Sequence, residues 1–197
     1  MPRVGLTIDR LVSAAAELAD SGGLDAVTVS ALARGFGVKD ASLYSHVKNV
    51  QDLRSRLAVR CAAEFADGLG EALAGRSGRA ALAGFARAYR DFAVGSPGRY
   101  AATQLPLPAE TLAASPGHLR MVEYTYALLR SYDLAEPDRT DAVRLLRSTL
   151  HGFAALEAAA AFHAERPLDA SWSRMIDALH QLLTHWPPAQ ASTTLSP

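Results

Sequence analysis

Apolar residues recur at intervals of three and four along almost the whole chain, which is the spacing of a helix with one buried face. The first stripe contains Ile8, Leu11, Val12, Ala15 and Leu18. Alanine and leucine dominate, β-branched residues are sparse, and 49% of the 197 residues are hydrophobic, which is enough for a buried core. The sequence therefore predicts a globular, all-α fold.

Breaks that contain glycine or proline divide the chain into predicted helices. The N-terminal part contains one helix over about 7–21, two short helices over 28–36 and 40–47 on either side of Gly37, and a long helix from Val50. Further helices are predicted over 79–94, 118–132, 138–164 and 171–185, with Ser96-Pro97-Gly98 as a stop and 104–117 as a loop-rich region. The predicted domains are 1–48 and 49–188, followed by a flexible tail over 189–197.

Charge and cysteine content exclude several classes of protein. The formal net charge is +0, and the first 60 residues hold eight basic and six acidic side chains, so any DNA binding must depend on local geometry. The single cysteine, Cys61, excludes an internal disulfide and falls at an apolar helix position, which favours a packed core thiol over a redox sensor. No secretory signal or membrane-spanning run is visible, so we expect a cytoplasmic protein with no membrane partner.

The two short helices are the most informative segment, because a helix of about seven residues is not stable alone. Small Ala33 at the crossing and Gly37 at the turn are typical of a helix-turn-helix, whose second helix enters the major groove of DNA. We expect an apolar set to hold the pair on the first helix: Leu32, Phe36, Val38, Leu43 and Val47. The polar side chains left facing outward are Lys39, Asp40, Ser42, Tyr44, Ser45 and His46.

The segment from Val27 to Asn49 resembles the DNA-binding signature of the TetR family of transcriptional regulators. Its most specific part is Gly37-Val38 followed by Leu43-Tyr44 and then His46. The resemblance implies an N-terminal three-helix DNA-binding domain, followed by a helical domain for ligand binding and dimerisation. It implies these DNA-contacting residues: Thr28, Ser30, Lys39, Asp40, Ala41, Ser42, Tyr44, Ser45, His46 and Lys48.

Two positions depart from the family's pattern. Many members carry Ser or Thr where this chain has Lys39, and a lysine where it has Val50. The second difference removes one expected phosphate contact, for which Lys48 is placed to compensate from two residues away.

The C-terminal part also resembles one subtype of the family. Residues 89–103 carry its P-G-x-Y element, and residues 150–157 carry a His-Gly pair, His151-Gly152. Gly152 lies inside a predicted helix, where it costs stability relative to alanine, so we expect a close backbone contact there. The broad apolar faces of the last two long helices predict a homodimer built on a four-helix bundle.

The resemblance further implies a small-molecule effector held among the central helices. Aromatic side chains with hydroxyl groups suit a mostly apolar molecule that carries a few polar groups. The candidate lining residues are Phe85, Tyr89, Phe92, Tyr100, Leu105, Met121, Tyr124, Tyr126 and Leu128. His118, His151 and His163 are too scattered to indicate a metal site, and we predict neither metal nor cofactor.

Three functions remain open at this stage. The resemblance favours a repressor that binds operator DNA and is released from it by a small-molecule ligand. A small helical enzyme is the second hypothesis, but no catalytic motif and no candidate catalytic residue can be identified. The third is a helical protein-interaction module that has lost DNA binding, which Val50 and the neutral charge keep open.

Overall fold

The computed structural model describes residues 6–187, so the first five residues, and the predicted tail over 189–197 together with residue 188, lie outside the described range. Within that range the fold is all-α and contains no strand. The helices are α1 (Ile8–Gly22), α2 (Val29–Phe36), α3 (Asp40–Leu43), α4 (Val50–Leu73), α5 (Gly78–Gly95), α6 (Pro97–Thr103), α7 (Ala109–Ala113), α8 (Pro116–Leu129), α9 (Asp138–Ala158) and α10 (Leu168–Thr184).

The first three helices and the beginning of α4 share one hydrophobic core. Leu11 and Ala15 of α1, Leu32 of α2 and Leu43 of α3 are buried there with Leu57 of α4. We call α1–α3 the N-terminal unit. Its core also includes α4 residues beyond the predicted domain boundary at 48, and that boundary stays a prediction.

The second core lies among α4, α5, α8, α9 and α10, and it is rich in large rings. We call α5–α10 the C-terminal unit. Phe65 of α4 stacks on Phe92 of α5, with ring centroids 4.7 Å apart and planes 10° apart. Trp172 of α10 meets Phe153 of α9 edge-on at 4.9 Å. The long helix α4 contributes residues to both cores and therefore connects the two units.

Both Ser-Pro-Gly segments start helices, which corrects the prediction that the first one is only a stop. Pro97 opens α6 and Pro116 opens α8, because proline fits the first turn of a helix, where its missing N–H is not needed. The glycine that follows lets two helices touch. A β-carbon at Gly98 would lie 2.0 Å from the carbonyl carbon of Ala19 in α1, and one at Gly117 would lie 2.4 Å from the nitrogen of Ala63 in α4.

The structure also corrects several predicted boundaries. Regular helix α3 ends at Leu43, and a turn closed by hydrogen bonds to the Leu43 carbonyl continues to Val47. Helix α9 ends at Ala158 rather than near residue 164, because Ala160 adopts φ 51° and Ala161 N–H donates to the Leu156 carbonyl. This is the usual glycine-type helix end, formed here by an alanine that gives no sequence signal.

Two further helices, α6 and α7, occupy the stretch that was predicted as a stop and a loop-rich region. Val38 is a smaller correction: it was expected in the apolar set of the N-terminal unit but is 38% exposed. It follows the left-handed Gly37, which turns the chain outward before α3 begins.

Candidate DNA-binding surface and internal cavity

Local hydrogen bonds define where α2 begins and ends. The Thr28 hydroxyl accepts from the Ala31 N–H at 3.1 Å and so caps α2 at its first turn. Gly37 adopts φ 65° and ends the helix, and the Val38 N–H donates to the Ala33 carbonyl at 3.0 Å. Only a residue free to take positive φ makes this sharp turn at low cost, which is why glycine lies between the two short helices.

The predicted DNA-contacting residues of this helix pair and its flanks are almost all open to solvent. Nine of the ten are exposed and His46 is half-buried, and Tyr44 is 54% exposed although it is a large ring. The apolar residues Leu32, Ala33 and Leu43 of the same two helices are buried against α1 and α4. The polar edge of the helix-turn-helix is therefore open to a partner, while its apolar edge is fully used in packing.

Two side-chain contacts stiffen the polar edge. The Ser30 hydroxyl donates to the Asp40 carboxylate at 2.5 Å, which joins α2 to the start of α3. The Ser45 hydroxyl donates to the Ser42 carbonyl at 2.8 Å. One oxygen of Asp40 is thus already engaged, and the lysine and tyrosine side chains of this edge, Lys39, Tyr44 and Lys48, extend into solvent.

A reciprocal cap that the sequence analysis missed fixes the start of α4. The Asn49 side chain accepts from the Asp52 N–H, and the Asp52 carboxylate accepts from the Lys48 N–H, both at 2.9 Å. The spacing of three residues from Asn49 to Asp52 was a usable sequence signal for this arrangement. It holds the backbone of Lys48 beside the helix-turn-helix and leaves its ammonium group free to reach a phosphate. Val50, which follows, is 38% exposed.

A cavity of about 590 Å³ lies in the C-terminal unit and along α4. Four of the residues that the sequence analysis proposed for a ligand site line it: Phe85, Tyr89, Leu105 and Met121. The others, Phe92, Tyr100, Tyr124, Tyr126 and Leu128, are not part of its wall. Most of the lining residues that sequence reasoning missed lie on α7, α8 and α9: Leu112, Ala113, His118, Leu119, Val122, Thr125, Val143, Leu146, Arg147 and Leu150. The others missed are Phe65, Leu69, Thr103, Gln104, Pro106 and Leu107.

A chain of hydrogen bonds leads from the cavity wall to the surface of α9. The Tyr89 and Tyr100 hydroxyls lie 2.6 Å apart, and Tyr100 Oη lies 2.6 Å from His151 Nδ1. Both tyrosines are 6% exposed, and burial raises the pKa of each above its ordinary value. They therefore stay neutral hydroxyls at physiological pH. His151 itself is exposed.

Two other titratable groups are shifted by burial. The pKa of the Cys61 thiol rises to about 12 because its surroundings exclude water, and Glu64 adds to the rise. Cys61 is fully buried and is therefore a core thiol in this fold. Burial lowers the pKa of His118, which lines the cavity and contacts the Ser115 hydroxyl at 2.8 Å.

Residues 6–187 contain neither a cluster of metal ligands nor a membrane-spanning helix. No group of three or more His, Cys, Asp or Glu side chains in that range is placed to hold a metal ion. No helix in that range is long and apolar enough to cross a membrane.

An all-helical chain that presents an open helix-turn-helix edge and carries a second helical unit is a helix-turn-helix DNA-binding regulator in its architecture. The model of the family described as "Bacterial regulatory proteins, tetR family" matches residues 11–57, and the "Tetracyclin repressor-like, C-terminal domain" matches residues 82–179. The chain is 37% identical to the HTH-type transcriptional regulator YobS of Bacillus subtilis (strain 168) over 173 residues. This matched region covers 87% of the chain and 90% of YobS. The chain belongs to the TetR family of transcriptional regulators, and neither this family nor this relative is an enzyme.

Solved structures share the fold over nearly the whole chain. A protein of unknown function from Rhodococcus sp. RHA1 matches with a TM-score of 0.74 and 25% identity, covering 92% of this chain and 97% of that one. BioQ in complex with its double-stranded DNA operator matches with a TM-score of 0.65 and 20% identity, covering 91% and 99%. At 20% identity, the likeness to BioQ concerns the fold alone.

Proposed function

We propose that this protein is a homodimeric repressor that binds operator DNA through α2 and α3 and leaves it when a small molecule enters the cavity. One observation carries the proposal: nine of the ten predicted DNA-contacting side chains are exposed, while the apolar residues of the same two helices, Leu32, Ala33 and Leu43, are buried. A helix pair that served only for packing would have no need to expose the large ring of Tyr44. The operator lies in the cytoplasm of a bacterium, where we place the protein's action.

The contacts that we propose follow from the chemistry of the exposed groups. Thr28 and Lys48 lie at helix starts and would bind phosphates, which position the protein without reporting sequence. The Asp40 carboxylate would accept from a cytosine amino group, and the Ala41 methyl group would contact a thymine methyl. Tyr44 would contact a phosphate or base edge from its exposed position. The same proposal covers Ser30, Lys39, Ser42, Ser45 and His46.

We propose that α9 and α10 form the dimer interface. The outward side of α9 carries small and apolar exposed residues such as Ala155, Leu156 and Ala158, which allow close helix approach. His151-Gly152 lies on this helix, so the likeness to the family subtype with a His-Gly pair belongs to the same proposal. One short helix reads too few base pairs for useful specificity, and a dimer doubles the contacts.

An electrophoretic mobility shift assay with the DNA upstream of the gene tests the DNA-binding part. We expect binding to the upstream duplex to exceed binding to random duplex and to weaken as salt rises. Tyr44→Ala should abolish the specific shift. Lys48→Gln should weaken binding to all sequences and lower the salt slope by about 1, as expected for one phosphate contact.

A control variant and the distance between the two α3 helices of the dimer complete the test. Val94→Ala, which removes another exposed apolar side chain in the C-terminal unit, should leave the shift unchanged. Equal affinity for upstream and random duplex would contradict the proposal, as would a Tyr44→Ala variant that binds normally. In a dimer structure the two α3 helices should lie about 35 Å apart, the separation of successive major grooves.

A further inference from the structure

The polar groups that line the cavity include a positive charge and no negative one. Most of its 20 lining residues are apolar, and none is Asp or Glu. The polar members are Tyr89, Thr103, Gln104, His118, Thr125 and Arg147. Because burial lowers the pKa of His118, that imidazole is neutral at physiological pH, and Arg147 is the one full positive charge in the wall.

Arg147 has no carboxylate partner among the described residues. Its guanidinium makes one hydrogen bond, from Nη2 to Gln104 Oε1 at 3.3 Å, although the group carries five N–H donors. Arg144, three residues earlier on the same helix, pairs with Asp141 at 3.2 Å and lies outside the cavity wall. The difference between these two arginines marks Arg147 as a cation whose charge is available to the cavity.

Arg147 is an exposed residue, and its hydrogen bond to Gln104 joins the guanidinium to the cavity wall. Gln104 accepts from Arg147 through its oxygen and donates from Nε2 to Thr103 Oγ1 at 2.7 Å. The Thr103 hydroxyl in turn donates to the Tyr100 carbonyl at 2.7 Å. The charge of Arg147 also opposes the rise in the pKa of Tyr89 and Tyr100 that burial causes, so Arg147 lies close enough to act on Tyr89, which lines the cavity.

The rest of the cavity suits a hydrocarbon body. Leu112, Leu119 and Val122 line it and are also 37%, 53% and 56% exposed, so the wall opens to solvent through apolar side chains. An apolar ligand that enters there gains from leaving water. A neutral ligand would cover Arg147 without pairing it, and a cationic ligand would be repelled by it, whereas an anionic group forms charge-assisted hydrogen bonds with it.

We propose that the effector is an apolar molecule with a single anionic head group, a carboxylate or a phosphate, that Arg147 holds at the polar end of the cavity. The inference rests on the proposed function, in which this cavity takes an effector. It adds the chemical class of the ligand and names the residue that selects it.

Binding measured on the full-length protein without DNA tests the class of ligand. The probes are decanoate, decyl phosphate, decanol and decylamine, used below the concentration at which they form micelles and followed by isothermal titration calorimetry. We expect at least one anionic probe to bind about tenfold more tightly than decanol, since a hydrogen-bonded charge pair contributes that much, and decylamine to bind most weakly. The comparison of decanoate with decyl phosphate tells which head group the site prefers.

Matched variants assign the selection to Arg147. Arg147→Gln should remove the preference for the anionic probe and leave decanol binding unchanged, which also shows that the variant is folded. Arg147→Lys should keep a reduced preference, because the charge remains while the fork geometry is lost. Arg144→Gln, on the same helix but outside the wall, should behave as the parent protein.

Three outcomes would overturn the inference: equal affinity for the anionic and neutral probes, an unchanged preference in Arg147→Gln, or an equal loss in Arg144→Gln. The proposed function is judged separately, by adding the preferred probe to the mobility shift assay. If the probe binds as expected but the operator complex persists, release by this ligand is contradicted while the class of ligand stands.

Discussion

The two cores of this protein are built from different side chains. The buried residues of the N-terminal unit are leucine, valine and alanine, with Cys61 of α4 beside them, and none carries a ring. The core of the C-terminal unit buries Phe85, Tyr89, Tyr100 and Trp172, and a cavity of about 590 Å³ lies against it. The first core holds short helices in one arrangement, while the second leaves space that a ligand can fill.

Only the C-terminal unit loses packing contacts to a cavity. The N-terminal core is built of aliphatic side chains and Leu43 is fully buried in it, so α3 is held although it has only four residues. A cavity forfeits packing contacts, and the C-terminal unit makes polar links between helices instead. Arg90 is the clearest: it pairs with Glu157 of α9 at 2.6 Å and with Asp169 in the first turn of α10 at 2.7 Å, and it lies over the ring of Trp172.

The largest expected effect comes from breaking the contact between the two units. Gly98→Ala places a β-carbon 2.0 Å from the backbone of Ala19, where no side chain can move aside. We expect a loss of about 3 kcal/mol in the free energy of unfolding, because helix α6 must separate from α1. Chemical denaturation followed by circular dichroism measures it, and operator binding should weaken as the N-terminal unit loses its support.

Gly95→Ala is the matched control for this crossing. Gly95 ends α5 three residues earlier, and nothing lies within 4 Å of the position its β-carbon would take. It should unfold at the same denaturant concentration as the parent or slightly above it. Similar midpoints for the two variants would mean that α6 and α1 are not in close contact.

The second prediction concerns a half-buried ion pair that links helices of the C-terminal unit. Arg90→Met should cost about 3 kcal/mol, because it leaves the carboxylate of Glu157, whose side chain is 14% exposed, without a partner. Arg79→Met is the control, since Arg79 joins the same helices α5 and α10 through Asp177 but on the exposed surface. It should cost less than about 1 kcal/mol. Equal losses would contradict the difference in burial.

Sequence patterns predicted the N-terminal unit better than the C-terminal unit, for a physical reason. The signals there are local: Thr28 caps a helix, Gly37 turns the chain, and periodic apolar residues mark the buried side. The end of α9 at Ala158 had no such signal, because an alanine adopts the left-handed conformation there. The Ser-Pro-Gly segments carried a signal with two meanings, since proline both ends one helix and begins the next.

The cavity could be predicted only in part, because its wall is assembled from distant segments. Phe85 and Tyr89 line it, whereas Phe92 on the same helix stacks on Phe65 instead. No sequence pattern distinguishes these rings. Arg147 was not predicted at all, since its relation to Gln104 spans 43 residues and depends on how α6 packs beside α9. The roles of the DNA-contacting residues and of the cavity stay predictions.

A smaller effect is expected from cutting the hydrogen-bond chain between cavity and surface. Tyr100→Phe leaves the buried Tyr89 hydroxyl without its partner and should cost about 1 kcal/mol. Tyr132→Phe is the control, because Tyr132 is equally buried and bonds His180 at 3.0 Å elsewhere in the same core. Both should lose stability, but only Tyr100→Phe should shift the NMR signals of the His151 ring. A shift of that ring in both variants, or in neither, would contradict the connection.

The smallest expected effect separates stability from dimerisation. Apart from its chain neighbours and the backbone of its own helix, no described atom lies within 4 Å of a β-carbon built at Gly152, so the close contact that the sequence analysis expected does not occur within the protomer. Gly152→Ala should therefore stabilise α9 by about 0.5–1 kcal/mol within the protomer. If α9 faces a second copy of the chain, the same methyl group should weaken the dimer. Gly68 lies in the middle of α4, where an added β-carbon would also meet no neighbouring helix. Gly68→Ala should therefore stabilise its helix without weakening the dimer. Sedimentation over a range of protein concentrations measures the dimer, because the unfolding midpoint alone mixes the two effects. A Gly152→Ala variant that dimerises as tightly as the parent would place the interface elsewhere than this glycine.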